Sequence, residues 1–176
     1  MMFWLENATQ AVNRFMDMGG NVLWLIAVLL FFMWMLIFER IWFFKLNWKH
    51  EVARVIGDWE ARPERRSWAA HRVREKLVSE ARLQINQNLS VIKTLVALCP
   101  LLGLLGTVTG MIEVFNIMAV TGGGDAKSMA GGVSRATIPT MAGMVAALSG
   151  VFGNTYVQRI AQRESELLAD NLTTDH

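Results

Sequence analysis

The chain has 176 residues, 53% hydrophobic and 18% charged, with a formal net charge of +2 and a mean hydropathy of +0.31. That composition leaves no sizeable soluble core to build. Three uncharged stretches can each cross a hydrocarbon core of about 30 Å at about 1.5 Å per residue, which makes this a membrane protein.

In chain order, residues 1–20 read as an outer amphipathic segment. Phe3, Trp4, Ala8, Ala11, Val12 and Phe15 recur at helical positions, and Gly19-Gly20 ends the pattern. No basic leader or Ala-x-Ala cleavage pattern precedes the first apolar run, so the first helix is expected to stay. Val22 to Phe38 is bulky and apolar on every side, as a helix facing lipid should be, and the first span is set at residues 21–44. Residues 45–88 form a basic, helical cytoplasmic region. Apolar spacing continues through Trp42, Phe44, Val52, Val55 and Trp59 until Pro63 interrupts it, and there the chain turns back.

From Val73 the positions Leu77, Ala81, Ile85, Leu89, Ile92 and Val96 keep helical spacing into the second span at residues 89–118, which predicts one long helix entering the bilayer. An outer loop at residues 119–131 carries the turn chemistry of Gly122-Gly123-Gly124-Asp125. The third span, residues 132–158, starts near Gly131-Gly132. A cytoplasmic tail helix follows at residues 159–176, patterned by Ile160, Ala161, Leu167 and Leu168. No strand-like alternation or internal repeat occurs, and the class is all-α.

Positive charge orients the chain, because basic loops are retained in the cytoplasm. Twelve of the 17 Lys and Arg lie between Arg40 and Lys93, whereas the start offers only Arg14 and the 116–134 loop only Lys127. The amino terminus is therefore expected outside and the carboxyl terminus, behind Arg159 and Arg163, inside. The same distribution accounts for a pI of 9.0 through contact with anionic inner-leaflet lipid, with no nucleic acid required.

Enzymatic chemistry finds no support. His50, His71 and His176 are scattered, Cys99 is the single cysteine, and neither metal-ligand spacing nor a nucleophile–base pair is present. No cofactor or metal is expected. The chemistry that remains lies in the last two spans. Gly103, Gly106, Thr107 and Gly110 share one helical stripe, and Ala142, Ala146 and Gly150, with Gly143 and Ala147 one position on, repeat every four residues. Small residues let helix backbones touch, either within one subunit or as a smooth wall. Thr107 and Thr140 lie near mid-membrane in antiparallel neighbours. They can share a level in a polar seam, or each can bond its own helix. Pro100 and Pro139 leave carbonyls to be satisfied by protein or water. Glu113 and Arg135, both toward the outer side, are candidates to pair. No acid or histidine lies at mid-depth, so a proton path through this chain needs a carboxylate from another subunit.

Two motifs carry a family likeness. Gly103-Leu104-Leu105-Gly106-Thr107-Val108-Thr109-Gly110, a short glycine-rich loop and then Gly132-Val133-Ser134-Arg135-Ala136-Thr137-Ile138-Pro139-Thr140-Met141-Ala142-Gly143 together resemble the MotA/TolQ/ExbB proton-channel family. The likeness covers roughly the last hundred residues in motif, the whole chain in topology, and is greatest to a short ExbB branch. It implies an inner-membrane homo-oligomer, a pentamer, around the single-span helices of an ExbD-like partner whose membrane aspartate supplies the missing acid. A TonB-like protein would carry the work to outer-membrane importers of siderophore iron, haem or vitamin. The resemblance makes Thr107 and Thr140 the proton-pathway hydroxyls. With it, Gly103, Gly106, Gly110, Ala136, Thr137, Gly143 and Ala147 read as pore lining and Glu113 and Arg135 as outer-mouth charges. Arg135 stands where relatives commonly carry a glutamate. A TolQ-like motor for envelope maintenance and a non-conducting membrane scaffold are the alternatives; a four-span flagellar stator fits the chain less well.

Overall fold

A computed structural model describes the backbone of residues 2–61, 63, 67–122 and 126–172, and their side chains except at residues 2–5, 8, 11, 14, 17, 18, 121 and 126–128. Five helices follow one another: α1 Met2–Leu46, α2 Trp48–Glu60, α3 Trp68–Asn86, α4 Leu89–Thr121 and α5 Ala126–Asn171. Among the described residues no strand occurs, so the protein is all-α. Three segments are long and apolar enough to cross a membrane, within Gly19–Leu46, Trp68–Val120 and Met129–Asn171. The protein is a membrane protein with three candidate spans. The Gly123–Asp125 part of the expected outer turn, the side chains of Phe3, Trp4, Ala8 and Ala11, and most of the stretch around Pro63 lie outside the described residues.

Three elements differ in detail from the sequence reading. Gly19-Gly20 does not end α1 but kinks it, with Gly20 at φ 65°, a left-handed conformation that glycine adopts without a Cβ penalty. α5 begins at Ala126, ahead of Gly131-Gly132. The single long helix expected from Val73 onward is two helices, α3 and α4, parted at Gln87 and Asn88. Asn88 takes φ 63°, and asparagine tolerates that region better than other residues with a Cβ. The apolar spacing runs through the break unchanged, which is why periodicity alone reads it as continuous.

The chain forms two compact units. The first comprises residues up to Met33 and Thr94–Val151; the second comprises Trp34–Lys93 and the residues from Phe152 onward.

In the first unit, α5 buries Ala136, Pro139, Gly143, Ala146 and Gly150, and α4 buries Val96, Cys99, Gly103, Gly106 and Val114. Both sets follow a spacing of three and four residues, completed in α4 by half-buried Gly110 between Gly106 and Val114, the repeat that keeps one helix face against a partner. α1 contributes Leu23, Ile26 and Met33. Its other faces carry exposed Trp24, Leu25, Val28, Phe31 and Phe32, an apolar coat suited to lipid.

In the second unit, Ile37, Phe44, Trp48, Val55 and Trp59 are buried with Ala81, Ile85, Ile92, Val157, Ala161 and Leu168. Polar groups are matched within it. Arg40, 2% exposed, donates to the Glu39 carboxylate at 2.9 Å and to the Gln84 carbonyl at 3.1 Å, and its guanidinium sits 5.0 Å from the centre of the Phe43 ring. Trp48 donates its indole N–H to Glu164 at 2.9 Å. Arg74 donates to the carbonyls of Ala169 and Leu172, closing the end of α5 where helix carbonyls lack partners. Ser67 starts α3 by accepting the Ala70 N–H.

Candidate functional site

The site is built on the contact between α4 and α5 in the first unit. The helices run antiparallel and approach closely because glycine faces backbone or ring at each level. A Cβ on Gly103 would stand 2.9 Å from the Pro139 carbonyl oxygen, and one on Gly110 would stand 2.8 Å from the Ala136 Cβ. One on Gly106 would overlap the Pro139 ring, and one on Gly143 would meet the Cys99 carbonyl oxygen. Gly103, Gly106, Gly143 and Ala136, expected in the wall of a pore, are thus buried within a single chain, and Gly110 is half-buried there. They hold two helices together.

Helix geometry then sorts the neighbours. Successive residues turn by about 100° around a helix, and in an antiparallel pair the residue after each contact position falls on one flank of the seam while the residue before it falls on the other. Thr107 follows Gly106 and Thr140 follows Pro139, the two residues that meet, so both hydroxyl residues flank one contact level. Thr137 follows Ala136, and Ala147 follows Ala146, on that same flank. On the opposite flank lie Thr109, Glu113 and Arg135, each preceding Gly110, Val114 and Ala136. These three line a cavity of about 450 Å³ with Gly19, Gly20, Asn21 and Val22 of α1. The hydroxyl flank lies on the side turned away from α1, and the charged pair on the side α1 covers.

The hydroxyls have different partners. Thr107 Oγ1 donates to the Leu104 carbonyl of its own helix at 2.7 Å, and Thr137 Oγ1 to Ser134 at 2.8 Å. Thr140 Oγ1 instead crosses the seam to the Gly103 carbonyl at 3.0 Å. Of the two readings left open by sequence, Thr107 follows the local one and Thr140 the interhelical one. Both side chains remain half-buried. Glu113 and Arg135 are exposed, and among the described residues no ion pair joins them. Among the described residues, no group of His, Cys, Asp and Glu is placed to hold a metal ion. Sequence reasoning gave the Cys99 backbone no role, yet its carbonyl forms the floor against Gly143. A cysteine one helical turn before Gly103 on the same stripe is the signal that could have suggested it.

A helix pair of this kind, locked by glycine and edged by hydroxyls on one side, belongs to an all-helical membrane protein with three candidate spans. The chain belongs to the MotA/TolQ/ExbB proton channel family, whose model matches residues 45–170. It is 49% identical over 61 residues to an ExbB-like biopolymer transport protein of Synechocystis sp., covering 33% of this chain and 24% of that protein. It is 35% identical over 96 residues to the biopolymer transport protein exbB1 of Vibrio cholerae, covering 54% and 42% respectively. With biopolymer transport protein ExbB of Helicobacter pylori it shares 38% identity over 66 residues, 38% of this chain and 46% of the relative. The matched region spans less than half the length of each of these curated relatives.

Proposed function

We propose that this chain is an ExbB-like subunit of an inner-membrane, proton-driven motor that energises TonB-dependent import across the outer membrane. Five copies enclose the single-span helices of an ExbD-like partner, with the amino terminus outside and the carboxyl terminus in the cytoplasm. The flank carrying Thr107, Thr137, Thr140 and Ala147 faces the enclosed partner, and the glycine seam behind it keeps each subunit's helix pair rigid. Proton flow alternately neutralises and ionises the partner's membrane aspartate while the threonine hydroxyls solvate the moving charge. Each elementary charge crossing 100 mV releases about 2.3 kcal/mol, enough for a few protons to drive a conformational cycle of ordinary size. A TonB-like protein passes that work on to importers of siderophore iron, haem or vitamin.

The observation that supports this reading is the pairing of two hydroxyls at one level, on the flank away from α1, in spans that hold no titratable carboxylate at that depth. Family membership supports the proton chemistry. The test is proton uptake by vesicles containing the chain and an ExbD-like partner under an imposed potential. Thr107→Val with Thr140→Val should abolish uptake while the complex stays assembled by native mass spectrometry. Undiminished uptake by that double variant would defeat the assignment.

A further inference from the structure

We infer that the cavity on the α1 side of the helix pair binds a zwitterionic ammonium–phosphate group, the headgroup chemistry of phosphatidylethanolamine. At about 450 Å³ it falls within the range of about 300–1,000 Å³ in which ligand sites occur. Its walls come from three helices of one unit, and it takes up only the flank that the hydroxyls leave free.

The charge arrangement selects the ligand. Glu113 on α4 and Arg135 on α5 line the same cavity, yet among the described residues no ion pair of 4.0 Å or less links them to each other or to any other group. Two long, exposed side chains of opposite charge close directly on each other when their reach allows. Unpaired in the wall of one cavity, they offer a carboxylate to an ammonium and a guanidinium to a phosphate, the latter in the fork geometry that suits phosphate oxygens. The wall carries no net charge, so a purely anionic headgroup meets the Glu113 carboxylate as repulsion while a zwitterion does not.

Shape and depth agree. Gly106, Gly110, Gly132 and Ala136 give the cavity a floor with little or no side chain, and Val22, Val114 and Pro139 add an apolar margin where a glycerol backbone and the first acyl carbons would rest. Thr109 has its hydroxyl proton committed to the carbonyls of Leu105 and Gly106, so it offers a phosphate no donor. Both charged residues lie toward the ends of the candidate spans that finish at Val120 and begin at Met129, from where long side chains reach toward the headgroup layer. A soluble phosphoethanolamine carries the same chemistry without the acyl chains.

The experiment places the full chain in nanodiscs of equal phosphatidylethanolamine and phosphatidylglycerol, re-extracts it and counts retained lipids by native mass spectrometry. The wild-type protein should keep phosphatidylethanolamine over phosphatidylglycerol. Glu113→Gln should lower phosphatidylethanolamine retention by about threefold to tenfold and turn the preference toward phosphatidylglycerol. Arg135→Gln should lower retention of both. Displacement of the retained lipid by millimolar O-phosphoethanolamine would assign the site to the soluble zwitterion, and resistance to it would assign it to the lipid. Circular dichroism and elution position check that the variants fold. Equal retention of the two lipids by the wild-type protein overturns the inference by itself, as does an unchanged lipid ratio in folded Glu113→Gln.

Discussion

The hydroxyl of Thr140 donates its hydrogen bond to a neighbouring helix, reaching the Gly103 carbonyl oxygen at 3.0 Å, while Thr107, Thr109 and Thr137 spend theirs on their own helices. The bond forms because Gly103 lacks a Cβ. With one, the helices could not close to this distance, since that atom would lie 3.0 Å from the Thr140 Cα. Thr140 therefore both fastens the seam and holds a hydroxyl on the flank turned from α1.

Thr140→Val removes the donor and keeps the branched shape. Interhelical hydrogen bonds in membranes contribute on average about 0.6 kcal/mol and at most about 1.7. Resistance to unfolding in a mixed-detergent titration should fall by that much, with Thr140→Ser close to wild type. A loss in Thr140→Ser with Thr140→Val close to wild type would mean that the methyl group, rather than the hydroxyl, carries the effect.

Glycines divide by what their missing Cβ would meet. Gly106→Ala places a methyl on the Pro139 ring and should loosen the α4–α5 contact, lowering the melting temperature by several degrees. Gly131 has nothing within 4 Å of its Cβ position, so Gly131→Ala gains helix propensity without strain and should stabilise by about 0.4–1 kcal/mol. Opposite signs in thermal denaturation check the pair.

Much of this architecture was legible in the sequence, and the exceptions have physical causes. Three spans and an all-helical class followed from hydropathy, because an apolar helix in lipid has few alternatives. The glycine stripe was visible as a close-approach surface, but its partner was not. Gly103 and Gly143 read the same whether they meet a backbone in their own chain or line a pore, and only the distances to Pro139 and Cys99 decide where they sit. The flank occupied by Glu113 and Arg135 was equally hidden, since it depends on where the kink at Gly20 brings α1. The break at Asn88 left no mark on the apolar period, and a left-handed asparagine costs too little to be announced by composition.

In the second unit Arg40 is buried, and its Glu39 partner is 46% exposed, so removing the arginine strands little charge. The loss is then the hydrogen bond to the Gln84 carbonyl and the contact with Phe43, about 1.5–3 kcal/mol. Arg40→Lys should recover only part of it, because a lysine ammonium lacks the planar fork that serves both oxygens at once. Hydrogen exchange at the end of α3 reads the effect, and protection there equal to wild type in Arg40→Leu would show that the contact is dispensable.

Asn154 sets stability against use. Its side-chain oxygen, alone among the buried side-chain polar atoms of the described residues, has no hydrogen-bond partner within the chain. An unmade bond of this kind costs about 1–3 kcal/mol, so Asn154→Leu, which keeps the branched shape and removes the polar atom, should raise the melting temperature of the isolated protein where the larger side chain fits. The same variant assembled with an ExbD-like partner then separates two origins for the orphan atom. If uptake under an imposed potential is unchanged, the asparagine is a tolerated defect; if uptake falls while the subunit has become more stable, the unpaired oxygen is kept at the expense of stability for a group that reaches it during the working cycle. A lower melting temperature for Asn154→Leu would count against a stability cost at this atom.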